Sequence, residues 1–274
     1  MRFKDTKGCG HTSLETMLRL LDAHTGSYAE VRPSRPGLLR VCAHVPGAAE
    51  AADLTGLRLL LLTDLLFRAA ELRNLQVFYV LASDGQPADQ QAALDRAVEA
   101  LGIHPPAERT SPGDAEATLG GPIDVHLTGS AISAGDRLSG LVVQVGAACT
   151  HLAARPTAGL LAGHDPLEVR LALLSFPYHQ PADLTEETLA DARVTVERWR
   201  LGVAEWAKSP SRPVPARIAE TLQSAFGDLD TVSVLAMLRG LAPAAGVAAG
   251  AKFETFLSAD RVLGLDLPRD IGRA

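Results

Sequence analysis

The amino-acid sequence predicts an α/β fold, in which a parallel β-sheet with covering helices is followed by a helical domain. Residues 37–45 and 77–83 are apolar runs typical of buried strands, and a long apolar helix is predicted between them at residues 57–72. Beyond His164 the apolar spacing becomes helical. A strand, helix, strand order is typical of a parallel sheet, whose ligands bind at the carboxyl ends of the strands.

The other elements follow from local patterns. Residues 13–23 have helical apolar spacing with Ser13 as a cap, residues 91–101 predict an amphipathic helix, and the Pro- and Gly-rich residues 105–121 predict a surface loop. Further strands are expected at 123–129 and 141–147, and helices at 166–174, 185–207, 214–225 and 231–241. A boundary near residues 159–165 then separates an α/β domain, 1–162, from a helical domain, 163–274.

Composition limits the classes of partner. The chain has 274 residues and a formal net charge of −6, so it has no overall attraction to nucleic acid, and tRNA is not an expected partner. No apolar run is long enough to cross a bilayer, and the N-terminal residues lack the apolar block of a signal peptide. A cytoplasmic protein without a membrane partner is therefore expected. No lysine occurs between His11 and Ala207, which excludes lysine chemistry in that span.

Each of the three cysteines is followed two positions later by a histidine. The pairs are Cys9 with His11, Cys42 with His44, and Cys149 with His151. Because residues i and i+2 share a face on a strand, one interpretation is a metal site built from Cys42, His44, Cys149 and His151. The other interpretation is chance spacing of buried thiols. Three scattered cysteines do not make a disulfide framework.

Several motifs together resemble a known family. VRPSRPGLLRVCAHVP (31–46) is similar to its entry strand, Arg58 and Asp64 keep the spacing of its next helix, and IDVHLTG (123–129) resembles its Asp-Ile-His-Gly-Gly segment. Residues 164–189 give the strongest match, and residues 228–231 resemble a further turn. The family is the class I cysteinyl-tRNA synthetases, with the shorter cysteine ligases of the mycothiol pathway. The resemblance implies a Rossmann-like class I synthetase fold and ATP-dependent adenylation of cysteine, without the anticodon-binding domain.

The residues that would perform this chemistry depart from the family pattern. The first phosphate-handling motif falls on Asp53-Leu54-Thr55-Gly56, which has no imidazole and adds a carboxylate. The lysine-rich second motif falls on residues 145–159, where Arg155 is the only cation. Of the family's zinc ligands, Cys42 occupies the first position, the segment that carries the second is shortened away, and the His-His-Glu ligands map near residues 135–138, where only Asp136 could bind a metal. Zinc bound in the family's manner is therefore not expected.

These departures predict a degenerate, non-catalytic relative of the cysteine ligases that binds a small molecule or a protein partner. The alternative is an active ATP- and magnesium-dependent ligase with a rewired site, in which Arg58, Arg155 and the histidines replace the lost groups. Asp84 could contact a nucleotide or cap an element, and His126 could bind a ligand or be a half-buried structural histidine. A residual nucleotide pocket is expected to include Asp53, Thr55, Gly56, Arg58, Asp84, His126, Thr128 and Gly129.

Overall fold

The computed structural model describes residues 17–45, 54–85, 87–130, 138–152 and 156–273, with the backbone alone for residues 156–159. The strands in these ranges are β1 (Arg19–Asp22), β2 (Ser27–Glu30), β3 (Leu38–His44), β4 (Gln76–Ala82), β5 (Glu108–Thr110), β6 (Val125–Thr128), β7 (Leu141–Gln144), β8 (Ala148–Cys149) and β9 (Ala182–Asp183). The helices are α1 (Leu54–Glu71), α2 (Ala88–Ala100), α3 (Ala115–Leu119), α4 (Pro156–Gly163), α5 (Pro166–Leu174), α6 (Glu186–Trp206), α7 (Ala216–Gly227), α8 (Thr231–Leu241) and α9 (Ala249–Leu263).

Five parallel strands form the central sheet in the spatial order β5-β4-β3-β6-β7. The chain proceeds from β3 to β4 and β5 on one side, and then crosses to β6 and β7 on the other side. In such sheets, ligands bind where the strand order reverses, outside the carboxyl ends of the strands. That point lies between β3 and β6. The structure confirms the predicted Rossmann-like sheet followed by a helical region.

Helix α1 is mostly apolar because nearly all of its surface is covered. Fifteen of its eighteen residues are buried, including an unbroken run from Leu54 to Leu66. It packs against strands β3, β4 and β6 of the sheet and against α9 of the helical region. A helix exposed on one face would show a polar stripe, whereas a helix enclosed by both layers does not need one. Helix α1 is thus the shared centre of the two predicted parts.

Two local predictions were wrong. The predicted helix at 13–23 is contradicted at Arg19–Asp22, which form strand β1, while residues 13–16 lie outside the described residues. Leu18 and Leu20 are buried on one side of the antiparallel hairpin formed with β2. The apolar residues here therefore also fit the two-residue alternation of a strand. The predicted loop at 105–121 contains strand β5 and helix α3. Tertiary pairing with β4 overrides the weak local propensity of Glu108–Thr110.

The helical region shares the main hydrophobic core with the sheet. Leu57 of α1, Val143 of β7 and apolar residues of helices α5 to α9 contribute to one continuous apolar cluster, in which Trp199 packs edge-on against Phe256 at 5.5 Å between ring centroids. Helix α9 was not predicted from the sequence.

The domain boundary near residue 162 stays a prediction. Among the helices that the structure describes, none combines the length and apolarity needed to span a bilayer.

Candidate functional site

Three potential metal ligands meet where the strand order reverses. Cys42 and His44 are two residues apart on β3, and His126 on β6 is the direct register partner of Cys42. Alternation along the strands places all three side chains on one face of the sheet. The Cys42 end of this face is covered by Ala115 and Leu119 of α3. One ligand atom from each of the three residues lies within 4.8 Å of the other two.

The two histidines are connected by a directed hydrogen bond. His126 Nε2 lies 2.8 Å from the carbonyl oxygen of Ser139, and because a carbonyl only accepts, this nitrogen carries a proton. In the neutral imidazole the other nitrogen, Nδ1, is then an acceptor, and it lies 2.9 Å from His44 Nε2, which donates. His44 Nδ1 is left as an acceptor 4.0 Å from Cys42 Sγ. Each imidazole is therefore held in one orientation and one tautomer.

Burial keeps all three groups uncharged at neutral pH. It raises the pKa of the Cys42 thiol to about 12. Burial, with a smaller contribution from His126, lowers the pKa of His44 to about 4. Burial also lowers the pKa of His126, although the hydrogen bond to Ser139 and the charge of Glu116 oppose the shift. A thiol with this pKa beside so weak a base is not an activated nucleophile, because that role requires a thiolate. Neutral imidazoles and a displaceable thiol proton suit a metal ligand set instead.

Arg58 does not face the site as a free cation. Its side chain is buried in the first turns of α1, and its guanidinium donates to the carbonyl oxygens of Gly146 at 2.9 Å, Pro177 at 2.7 Å and Gln180. Gly146 lets its backbone lie close to that of Gln180, since a Cβ there would be 2.1 Å from the Gln180 oxygen, and this brings both carbonyls within reach of Arg58. Burial lowers the pKa of Arg58 to about 10. Arg58 joins α1 to the loop that precedes β9.

A second buried arginine joins α1 to the helical region. Arg170 of α5 is fully buried, donates to Asp64 Oδ2, and also donates to the carbonyl oxygens of Leu101 at 2.9 Å and Leu263 at 2.6 Å. Asp64 is also contacted by Arg68 at 2.9 Å and by His104 Nδ1 at 2.6 Å. This cluster lies towards the opposite end of α1 from its first turn. It is therefore a packing element away from the three-residue site.

The remaining predicted nucleotide residues lie around the start of α1 and the ends of β4 and β6. Thr55 Oγ1 accepts from the Ala148 amide at 3.1 Å, and Gly129 packs so closely on Thr55 that a Cβ there would lie 2.9 Å from its methyl group. Gly56 is buried, Thr128 Oγ1 accepts from the Ser130 amide at 3.2 Å, and Asp84 is exposed after β4. Asp53 lies outside the described residues, as does Arg155. A nucleotide role for this set stays a prediction.

The predicted metal set is divided between two places. The structure brings Cys42 and His44 together with His126. Cys149 lies on β8, is exposed, and has its thiol 3.7 Å from Asp183 Oδ1, while His151 is also exposed. No pattern in the sequence indicates that His126 belongs beside Cys42, because their pairing follows from the strand order and not from spacing. Likewise, the carbonyl partner from Ser139 has no signature in a sequence.

No family model matches the chain. The chain is similar to cysteine ligases. It is 38% identical over 84 residues to the L-cysteine:1D-myo-inositol 2-amino-2-deoxy-alpha-D-glucopyranoside ligase of Thermobifida fusca, a match that covers 31% of this chain and 20% of that protein. Proteins of the same name from Rhodococcus jostii and Nocardiopsis dassonvillei are 34% and 33% identical over 111 and 109 residues, 39% and 38% of this chain. The matches thus span only about a quarter or less of the length of these relatives.

Proposed function

We propose that this chain is a non-catalytic relative of the cysteine ligases, which binds a small molecule in the crevice between β3 and β6 and does not form an adenylate. The observation that carries the proposal is the position of Arg58. Adenylation requires cations that stabilise the developing pyrophosphate. The arginine at the start of α1 instead donates to the carbonyls of Gly146, Pro177 and Gln180, so its hydrogen-bonding capacity serves the fold.

The charge around the crevice supports the same proposal. Besides Arg58, whose guanidinium is taken up by backbone carbonyls, the described residues at the strand ends and the start of α1 include no lysine or arginine: they are His44, Val45, Thr55, Gly56, Ser83, Asp84, Thr128, Gly129 and Ser130. The two histidines in the three-residue site are held neutral by burial, and Asp84 is a carboxylate. Asp84 is exposed, so solvent screens its repulsion of a phosphate, but it supplies no positive charge to attract one. Without a bound metal, the part of the crevice that the structure describes therefore favours a ligand without a polyphosphate.

The positions that carry the resemblance have structural roles. Arg58 holds the loop before β9, and Asp64 with Arg170 joins α1 to α5. Tyr178, another matching residue, accepts at its hydroxyl from the Leu21 amide at 2.8 Å. A scaffold can be retained through such contacts without the reaction it once supported. These structural roles are consistent with a chain that has kept the packing contacts of the family fold and lost the residues that handle phosphate.

The direct test is cysteine-dependent exchange of radioactive pyrophosphate into ATP, with the Cys42→Ala variant as background and a cysteine ligase assayed in parallel. We expect no exchange above the variant, at least about 100-fold below the active ligase, since loss of one group that stabilises transition-state charge typically costs on the order of 100- to 1000-fold in rate. Calorimetric titration with Mg·ATP should likewise show no binding below about 1 mM. Exchange by the wild-type chain and not by Cys42→Ala would contradict the proposal and support the ATP-dependent ligase with a rewired site.

A further inference from the structure

The cluster of Cys42, His44 and His126 has the donors and the second contacts of a metal site. We propose that these three residues bind one Zn²⁺ ion and leave its fourth coordination position open towards the crevice. This ligand set shares only Cys42 with the set that the family resemblance implied. The site does not depend on whether the chain has lost adenylation, because its ligands are assigned from side-chain geometry alone.

The three side chains are near enough to one another to share one ion. Two nitrogens bound to a tetrahedral zinc lie about 3.3 Å apart, and a nitrogen and a sulfur about 3.6 Å apart, given Zn–N bonds near 2.0–2.1 Å and a Zn–S bond near 2.3 Å. His44 Nε2 and His126 Nδ1 are 2.9 Å apart, and one ligand atom each of Cys42, His44 and His126 lies within 4.8 Å of the other two. Side-chain shifts of up to about 1 Å therefore bring one atom of each residue to the spacing of a coordination shell.

The contact from His126 to Ser139 is the second feature expected of a metal ligand. Metal-bound histidines usually donate their other ring N–H to a carboxylate or a backbone carbonyl, which fixes the tautomer and the ring orientation. His126 Nε2 donates to the Ser139 carbonyl at 2.8 Å, so its Nδ1 lone pair points towards His44 Nε2. The rigid position of both strands in the centre of the sheet holds these ligands in register.

The chemistry of the donors selects the ion. One sulfur and two imidazole nitrogens suit Zn²⁺, whereas Mg²⁺ and Ca²⁺ prefer oxygen ligands. Three protein ligands are typical of zinc sites that keep a position for water or another exogenous donor.

On binding, a Zn–S bond replaces the S–H bond of Cys42 and that proton leaves to solvent. The coordinating nitrogen of His44 gives up its hydrogen to the other ring nitrogen, and the hydrogen bond between the imidazoles is replaced by two Zn–N bonds.

The test uses the metal itself on the purified full chain, by elemental analysis after dialysis against zinc and by absorption spectroscopy after loading with Co²⁺. We expect one metal per chain, with a sulfur-to-cobalt charge-transfer band and the visible bands of a four-coordinate ion. Cys42→Ser should abolish the charge-transfer band. His44→Gln and His126→Gln should each weaken zinc binding by at least about 100-fold, beyond the effect usual for loss of an outer partner.

The matched controls are the other two cysteines that precede a histidine. Cys149→Ser and Cys9→Ser should retain the stoichiometry and the band, because Cys149 lies beside Asp183 away from the cluster. His44 is only half-buried, so His44→Gln is the variant expected to stay folded, and thermal unfolding with a chelator present checks each variant. Zinc absent from the wild type, or binding that follows Cys9 or Cys149, would overturn the site. Metal content and pyrophosphate exchange are separate readouts, so either proposal can fail without the other.

Discussion

Asp64→Asn is expected to lower the free energy of unfolding by about 3–5 kcal/mol, because it removes the carboxylate that compensates a fully buried arginine. Arg170 is buried and donates to Asp64, and Arg68 lies 2.9 Å from the same carboxylate. The amide keeps the size of the side chain and removes its charge, so two guanidinium groups lose their counter-ion at once. Urea denaturation followed by circular dichroism measures the difference.

Asp191→Asn is the matched control. Asp191 pairs with Arg239 at 2.8 Å on the surface, where such a pair contributes about 1 kcal/mol or less. The interaction between Asp64 and Arg170 is tested by repeating Asp64→Asn in the Arg170→Met background. The loss of unfolding free energy should be clearly smaller there, because no buried guanidinium is left without its counter-ion. Equal losses in both backgrounds would show that the cost comes from α1 packing and not from the buried pair.

The same carboxylate predicts how stability responds to acid. Burial alone would raise the pKa of Asp64, but the hydrogen bond from His104 and the charges of Arg170 and Arg68 outweigh it and hold the pKa well below the usual value. A depressed folded-state pKa contributes stability above the unfolded-state value of about 3.9, and this stability is lost as the pH falls. The stability difference between wild type and Asp64→Asn should therefore be constant above about pH 5 and shrink below it. A difference that grows with acidity would contradict the assignment.

Arg58→Met is expected to cost on the order of 3 kcal/mol, since each buried carbonyl that loses its donor costs about 1–3 kcal/mol. The carbonyls of Gly146 and Gln180 would lose the guanidinium. Part of this cost is offset because a charge no longer has to be buried, which is also why burial lowers the pKa of Arg58 to about 10. Denaturant midpoints measured at neutral pH give the size of the effect.

Arg58→Lys should fall between wild type and Arg58→Met, because one ammonium cannot reach all the carbonyls that a planar guanidinium serves. The matched control is Arg32→Met, an exposed arginine paired with Glu30, which should change stability by less than about 1 kcal/mol. If Arg58→Met is as stable as wild type, then Arg58 is not holding the loop, and its proposed structural role, and with it the support for a non-catalytic crevice, is wrong.

The parallel sheet could be predicted well because the strand, helix, strand order is encoded in local apolar patterns. Prediction failed where two patterns coincide, as at Arg19–Asp22, whose leucines fit both a helix and a strand. It also failed at Glu108–Thr110, three polar residues that become a strand only because β4 offers an edge for pairing.

The candidate site was predicted only in part. Cys42 and His44 were singled out by their spacing, but the third side chain of the cluster, His126, depends on which strand lies beside β3, and the sequence does not state the strand order. The role of Arg58 was also hidden, since its partners are backbone carbonyls, which every residue has. Side-chain chemistry is visible in a sequence, whereas the backbone groups and neighbours that fix its use are not.

The buried contact between Asp64 and Arg170 has a consequence for synthesis on the ribosome. The two residues are 106 positions apart, so at about 5–20 residues per second Arg170 is made roughly 5–20 s after Asp64. During that interval the leucine-rich helix α1 lacks both Arg170, the buried partner of Asp64, and the α9 surface that covers the helix. The nascent chain therefore passes through a stage in which the apolar surface of α1 is incompletely covered. At this stage, chaperone binding or aggregation competes with completion of the fold.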